Sequence, residues 1–285
     1  MTPLTPCETL LEGYVAPHPA NGTMSDIPAS APARRRPSRR GAVLALAAAL
    51  AAAVAYGAFE GARRLGYLQP RAHVGTLPLV EVPAPRGASG DVLVVLLSGD
   101  GGWGRLDREL AARLSAAGYP VVGWNSLRYF MAPRDPAVAA DDLSVVMRAY
   151  QRKWGRPRVL LVGYSFGADV LPVAVARLDS VARADVAGLV LLGFSPDAQF
   201  KFRPREPGGR VRDYATLPVV RDLRDLPILC IGGDQDRRSV CARIGTPNAT
   251  SRTIASGHAL GAHADEVFAL MQPLLRSLET HTSVD

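Results

Sequence analysis

The sequence predicts an α/β fold: a mainly parallel sheet with helices on both faces, preceded by one N-terminal apolar helix. Three observations predict it. After Leu77, short apolar runs alternate with helix-length amphipathic stretches, the pattern of successive βαβ units. The pentapeptide Gly163-Tyr164-Ser165-Phe166-Gly167 stands between an apolar run and a helix-compatible run, so the chain must turn sharply from strand to helix there. Gly-rich or Asp-rich loops follow several of the apolar runs, at the carboxyl ends of strands where such sheets carry their functional groups.

In chain order, residues 92–97 (Val-Leu-Val-Val-Leu-Leu) read as a strand buried on both faces. Residues 107–117 read as a helix stopped by Gly118, and 119–124 as the next strand. Residues 136–153 open on a proline and form a long helix, 159–162 the strand before the sharp turn, 168–178 the helix after it, and 186–193 a further strand. Between Ser195 and Asp225 the periodicity gives way to Pro, Gly and basic residues, which is where a cap fits. Residues 227–233 are a buried strand, 252–254 a short one, and 264–278 a closing amphipathic helix.

A G-x-S-x-G at a strand-to-helix junction is the nucleophile elbow of α/β-hydrolases, which makes Ser165 the candidate nucleophile. A serine hydroxyl needs a histidine base and a carboxylate to orient it, and in this fold they follow in the order Ser, acid, His. Asp236, after residues 227–233, is the candidate acid, with Asp234 in reserve. Of five histidines, His258 in Ser256-Gly257-His258-Ala259 is the candidate base, and His263 near the last helix start is the alternative. The oxyanion donors are assigned to the N–H of Phe166 and to that of Asp100 or Gly101, in the Gly-rich loop Ser98-Gly99-Asp100-Gly101-Gly102-Trp103. Tyr164, Trp103 and Asp169 are candidate substrate contacts, with Asp169 and Asp100 placed to receive an ammonium group. No G-x-x-x-x-G-K-[ST] or dinucleotide fingerprint is present, and no cofactor or metal is expected.

Residues 78 to 278 resemble the VirJ domain, a bacterial virulence-protein family that also forms the C-terminal half of AcvB-type proteins. The resemblance rests on Ser98 to Trp103, Ser126-Leu127-Arg128-Tyr129-Phe130 with Pro133, Asp142, Tyr150 and Trp154, the segment Gly163 to Asp169 with Pro172, and the pair Cys230 and Cys241. It implies a periplasm-facing serine hydrolase of aminoacyl-phosphatidylglycerol, lysyl-phosphatidylglycerol above all, with Ser165 as nucleophile, His258 as base and the acid between Cys230 and Cys241. The sequence departs from the family where Ala259 and Leu260 replace a second histidine and an aromatic, and where Asn125 replaces an acidic residue. A periplasmic binding module for secretion or virulence proteins is the reading from another class, and a generic lipase or esterase the rival within enzymes.

Residues 41–59 carry no charge and would span roughly 28 Å as a helix, enough for a bilayer core. Arg34, Arg35, Arg36, Arg39 and Arg40 precede them, so the positive-inside rule keeps residues 1–40 cytoplasmic and sends the domain at 78–280 outward, past a linker at 60–77. An inner-membrane anchor and a cleaved signal with Ala53-Val54-Ala55 at its exit are both compatible with this stretch, as are starts at Met1 and Met24. Residues 1–71 hold eight arginines against Glu8, Glu12, Asp26 and Glu60, so more than half of the net charge of +7 reflects topology, and no nucleic-acid partner is expected. The partner is membrane phospholipid, whose phosphate Lys201, Arg203, Arg205, Arg210 and Arg212 of the cap would hold. In an oxidising periplasm Cys230 and Cys241 would form a disulfide around the acid loop.

Overall fold

Residues 47–57, 73–201 and 214–280 are described by a computed structural model of the chain. A helix, α1, covers 47–57 and is exposed along its length. Among the described residues no helix is long and apolar enough to cross a membrane. Residues 41–46 and 58–59 of the expected span, and Arg203, Arg205, Arg210 and Arg212 of the expected cap, lie outside the described residues.

The sheet has seven strands: β1 (Leu79–Val82), β2 (Val92–Leu97), β3 (Val121–Trp124), β4 (Arg158–Tyr164), β5 (Val186–Leu192), β8 (Ile228–Gly233) and β9 (Ala249–Ile254). Their order is β1-β3-β2-β4-β5-β8-β9. Only β1 runs antiparallel, against β3. β2, β3, β5 and β8 are buried at every residue because helices cover both faces, and this is why they read as continuous apolar runs. A small hairpin of β6 (Asp197–Ala198) and β7 (Tyr214–Ala215) stands apart from the sheet.

Alternation along the strands divides the interior into two cores. Leu93, Val95 and Leu97 of β2 face one, packed with α4 (Pro136–Trp154), α5 (Phe166–Val175) and α7 (Thr216–Asp222). Val92, Val94 and Leu96 face the other, packed with α2 (Arg105–Ala116) and α8 (Ala264–Thr280). α2 offers Leu106, Leu110 and Leu114 at four-residue spacing, so one stripe enters the core. α4 starts where Asp135 accepts from the Ala137 N–H at 2.8 Å, with Pro136 at the first helical position, and stops at Gly155 in the left-handed region (φ 65°). Two short helices, α3 (Ser126–Phe130) and α6 (Ser180–Ala184), complete the α-helices among the described residues, beside single 3-10 turns at Val74–Thr76 and Cys241–Arg243.

Predicted and observed bounds differ by one or two residues at most ends of long elements, with three larger gaps, one of them α5, which ends at Val175 rather than 178. The edge strand β1 lies ahead of the first predicted strand, and β9 begins at Ala249 rather than 252, its middle exposed and polar enough to hide the strand.

Cys230 of β8 and Cys241 are joined by a disulfide, both buried. It closes a loop of sequence separation 11 that carries Asp234 and Asp236. Closing a loop of that size restrains the unfolded chain by about 2–3 kcal/mol. Replacing both cysteines by alanine is therefore expected to lower the melting temperature by about 4–12 °C in a domain of this size, checked by thermal unfolding of the two proteins under oxidising conditions. An unchanged melting temperature would show that the loop's hydrogen bonds alone set its stability.

Candidate active site

Ser165 sits between β4 and α5 with φ 51° and ψ −116°, and among the described residues no other non-glycine has positive φ. The strain is imposed from both sides. Its N–H continues the sheet by donating to Leu192 O at 2.7 Å, while its own carbonyl accepts from Asp169 N at 3.0 Å and opens the helix. The flanking glycines are steric requirements. A Cβ on Gly163 would lie 2.6 Å from Ala168 N, and one on Gly167 2.4 Å from Leu97 O.

The side chains predicted as nucleophile, base and acid meet. Ser165 Oγ lies 2.8 Å from His258 Nε2, and His258 Nδ1 lies 2.7 Å from Asp236 Oδ2. A carboxylate only accepts, so the proton of a neutral His258 sits on Nδ1 and Nε2 accepts from the serine hydroxyl. Asp236 is nearly inaccessible, its side chain 3% exposed against 35% for His258, and its Oδ1 accepts from Arg238 N at 3.0 Å. The alternatives do other things. Asp234 Oδ1 accepts from Ser256 N at 3.0 Å, tying the acid turn to the histidine loop, and His263 pairs with Glu266 at 3.3 Å at the start of α8.

The close approach of these two loops depends on a glycine that sequence reasoning passed over. A Cβ on Gly233 would stand 2.1 Å from Gly257 O, so only glycine lets the end of β8 touch the segment that carries His258. The position was visible as the second glycine of Gly232-Gly233, but the neighbour it admits comes from the fold.

The loop after β2 reaches the nucleophile through Gly99, whose Cβ position is 3.4 Å from Ser165 Cβ and from the Tyr164 ring. Gly102, with φ 75°, donates to Gly99 O at 3.1 Å and closes a tight turn around Asp100 and Gly101. Ser98 Oγ accepts from Ser126 N at 3.0 Å and so fixes the turn to α3. Phe166 is the first residue of α5, and its N–H is among the first-turn donors that have no partner within the helix. Asn125 caps α3 by accepting from Arg128 N at 3.1 Å.

Of the expected substrate contacts, Tyr164 lines the site. Its ring lies against Gly99, its hydroxyl engages the Leu260 backbone, and burial pushes the phenol above its ordinary value. The Trp103 indole covers Gly123 of β3, where a Cβ would be 2.3 Å from the ring, and packs, partly buried, against the α2/α8 core. A glycine inside a buried apolar strand signals such a close approach. Asp169 is 8% exposed, and its Oδ1 accepts from Ser195 N at 2.7 Å, so it faces the interior.

Two buried acids titrate above the ordinary carboxylate range. Burial pushes Asp169 up to about 8 and Asp107, which accepts from Gly104 N at 2.8 Å, up to about 6. Both bind their proton more tightly folded than unfolded. Their contribution to stability is therefore complete below about pH 4 and lost with rising pH, through about 6 for Asp107 and about 8 for Asp169. Asp169→Asn is expected to remove the later part of that loss, so the variant gains on wild type by a few kcal/mol between pH 5 and pH 9 in denaturant titrations. Equal slopes for the two proteins would contradict it.

An aromatic wall adjoins the elbow: Phe130 packs on Phe166 (5.0 Å between centroids) and on Phe200 (5.7 Å), which packs on Tyr214 (5.5 Å). Lys201, the one expected cap cation within the described residues, is half-buried beside it. Among the described residues no group of three or more His, Cys, Asp or Glu side chains is placed to hold a metal ion.

Residues 91–282 match the family described as Bacterial virulence protein (VirJ). No curated protein matches the sequence. Similar solved structures include proline iminopeptidase from Mycobacterium smegmatis, with 12% identity and a TM-score of 0.56 over 72% of this chain and 96% of that one. MenH from S. aureus has 15% identity and a TM-score of 0.51 over 71% and 99% of the two chains. Est1E from Butyrivibrio proteoclasticus has 15% identity and a TM-score of 0.50 over 70% and 93%. At these identities the likeness is one of fold, the α/β-hydrolase sheet.

Proposed function

The chain belongs to the VirJ family of bacterial virulence proteins, and from that premise we propose that it is a serine hydrolase of aminoacyl-phosphatidylglycerol, with lysyl-phosphatidylglycerol as the leading substrate. The observation that carries the reading is the hydrogen-bonded series Ser165, His258, Asp236 at a strained elbow. Ser165 Oγ attacks the aminoacyl ester carbonyl while His258 Nε2 takes its proton, and Asp236 holds Nδ1–H and stabilises the imidazolium. The Phe166 N–H and an N–H of the Asp100–Gly101 turn hold the oxyanion. His258 then gives its proton to the leaving glycerol oxygen. Water, losing a proton to His258, attacks the acyl-enzyme carbonyl, and His258 returns that proton to Ser165 Oγ as the C–Oγ bond breaks and the amino acid leaves.

The working unit is the domain at 78–280, held at or released from the inner membrane on its periplasmic side. The arginine block ahead of residues 41–59 supports that topology, and the Cys230–Cys241 disulfide supports an oxidising compartment. The aromatic wall of Phe130, Phe166 and Phe200 favours a second reading, an esterase with an apolar acyl group.

The test is release of free lysine from lysyl-phosphatidylglycerol vesicles by the full-length protein beside Ser165→Ala. Release by wild type alone is expected. Release only from short-chain apolar esters would select the second reading. A folded wild type inert toward lysyl- and alanyl-phosphatidylglycerol and toward simple esters would instead indicate a binding module for secretion or virulence proteins.

A further inference from the structure

Asp169 has no part in these steps, yet it lies where four pieces of chain meet. Its N–H donates to Ser165 O at 3.0 Å, and its Oδ1 accepts from Ser195 N at 2.7 Å. Ser195 is 1% exposed, and its carbonyl accepts from the hydroxyl of Thr216, at the start of α7, at 2.6 Å. One residue earlier, Phe194 O accepts from Val240 N of the acid turn at 3.0 Å. One earlier still is Gly193, with φ 64°, so close to the base that a Cβ there would be 3.3 Å from His258 Cε1. The Gly193–Ser195 turn is thus the surface on which the imidazole rests, and Asp169 ties it to the helix that carries the nucleophile.

We propose that Asp169 is a positioning residue for His258, acting through the Gly193–Ser195 turn. The inference rests on the serine-hydrolase reading above. The two ring hydrogen bonds run through Nε2 and Nδ1 and fix the imidazole along one line, and the turn stops it from swinging about that line. Without Asp169 the buried Ser195 N–H has lost its acceptor, which is costly enough for the turn to move toward another one. A displacement of about 1 Å at a base is enough to slow proton transfer strongly. The groups facing the carboxyl are Ser195, Arg238 of the acid turn, whose charge favours ionisation, and Asp197 of β6, whose charge opposes it. Burial outweighs Arg238 and keeps the side chain a neutral acid near pH 7, a state that asparagine reproduces in size and in its acceptor oxygen.

The experiment follows phosphonylation of Ser165 by a fluorophosphonate probe in the full-length wild type, Ser165→Ala, Asp169→Ala and Asp169→Asn. It is read beside the low-field proton resonance of His258 Nδ1–H and the melting temperature. Asp169→Ala is expected to label about 10- to 100-fold more slowly, with the resonance broadened or moved, at temperatures well below its melting point. Asp169→Asn is expected to restore the rate to within about threefold. Wild-type labelling and an unmoved resonance in Asp169→Ala would overturn the proposal even if the protein melts earlier, as would an Asp169→Asn as slow as the alanine variant. Should Asp169→Ala not fold, Thr216→Val frees the same turn from its other side and carries the same expectation of slower labelling, and a wild-type rate there overturns it. A wild type that resists the probe, or a Ser165→Ala that reacts equally, refutes the serine reading itself and is distinguishable from all of these.

Discussion

Ser165→Ala is expected to lower kcat on the ester substrate by about 10⁴- to 10⁶-fold while leaving the fold intact. In the proposed mechanism the hydroxyl oxygen is the atom that becomes bonded to the acyl group, and without it His258 could only activate water held in the wrong place. What survives comes from the oxyanion donors and from substrate binding. The same position tests the cost of the elbow. A non-glycine held at φ 51° stores about 1–3 kcal/mol, so Ser165→Gly is expected to melt higher than wild type although it is equally inactive. Steady-state kinetics with thermal unfolding of the three proteins separates these claims. Activity in either variant above about 1% of wild type would remove Ser165 from the chemistry, whereas a Ser165→Gly that melts lower would remove only the strain argument.

Asp236→Asn is expected to cost about 10³- to 10⁴-fold in kcat with little change in KM, whereas Asp234→Asn stays within about threefold. Both carboxylates end the same strand, two residues apart, and differ in what they hold. Asp236 fixes the tautomer of His258, and an amide can present its NH₂ to Nδ1, which drives the proton to Nε2 and removes the acceptor for the serine hydroxyl. Asp234 accepts a single backbone N–H from Ser256, and an amide oxygen does that nearly as well. Kinetics of the two variants across pH 5 to 9 decide it, and equal losses would mean that the turn as a whole, rather than Asp236, is what the base requires.

The elbow and its partners were legible because each residue there answers a local demand. Ser165 needs glycines at 163 and 167 whatever the rest of the sequence is, and the order of apolar runs fixes which loops share the carboxyl edge of the sheet. Choosing Asp236 over Asp234 and His258 over His263 drew on position in the loops, and the observed hydrogen bonds separate each pair. How Asp169 and Trp103 pack was not legible, because neighbourhood in sequence and sign of charge do not say which way a side chain faces. Asp169 lies four residues after the nucleophile, one turn deeper along α5, and therefore meets Ser195 instead of solvent. The roles of Gly193 and Gly233 were out of reach, since each is defined by a segment that arrives from elsewhere in the chain.

The order of strands also has a temporal meaning. β2, β4 and β5 make the middle of the sheet and come from the centre of the sequence, while β8 and β9, whose loops bring the acid and the base, are laid down at one flank by the last sixty or so residues. A growing chain can assemble the nucleophile's strand and helix long before either partner exists. Until β9 docks on β8, Ser165 is an ordinary alcohol in a partly built sheet. On the proposed mechanism, hydrolytic capacity therefore switches on late in folding, and an incomplete chain stays chemically silent toward whatever ester it meets.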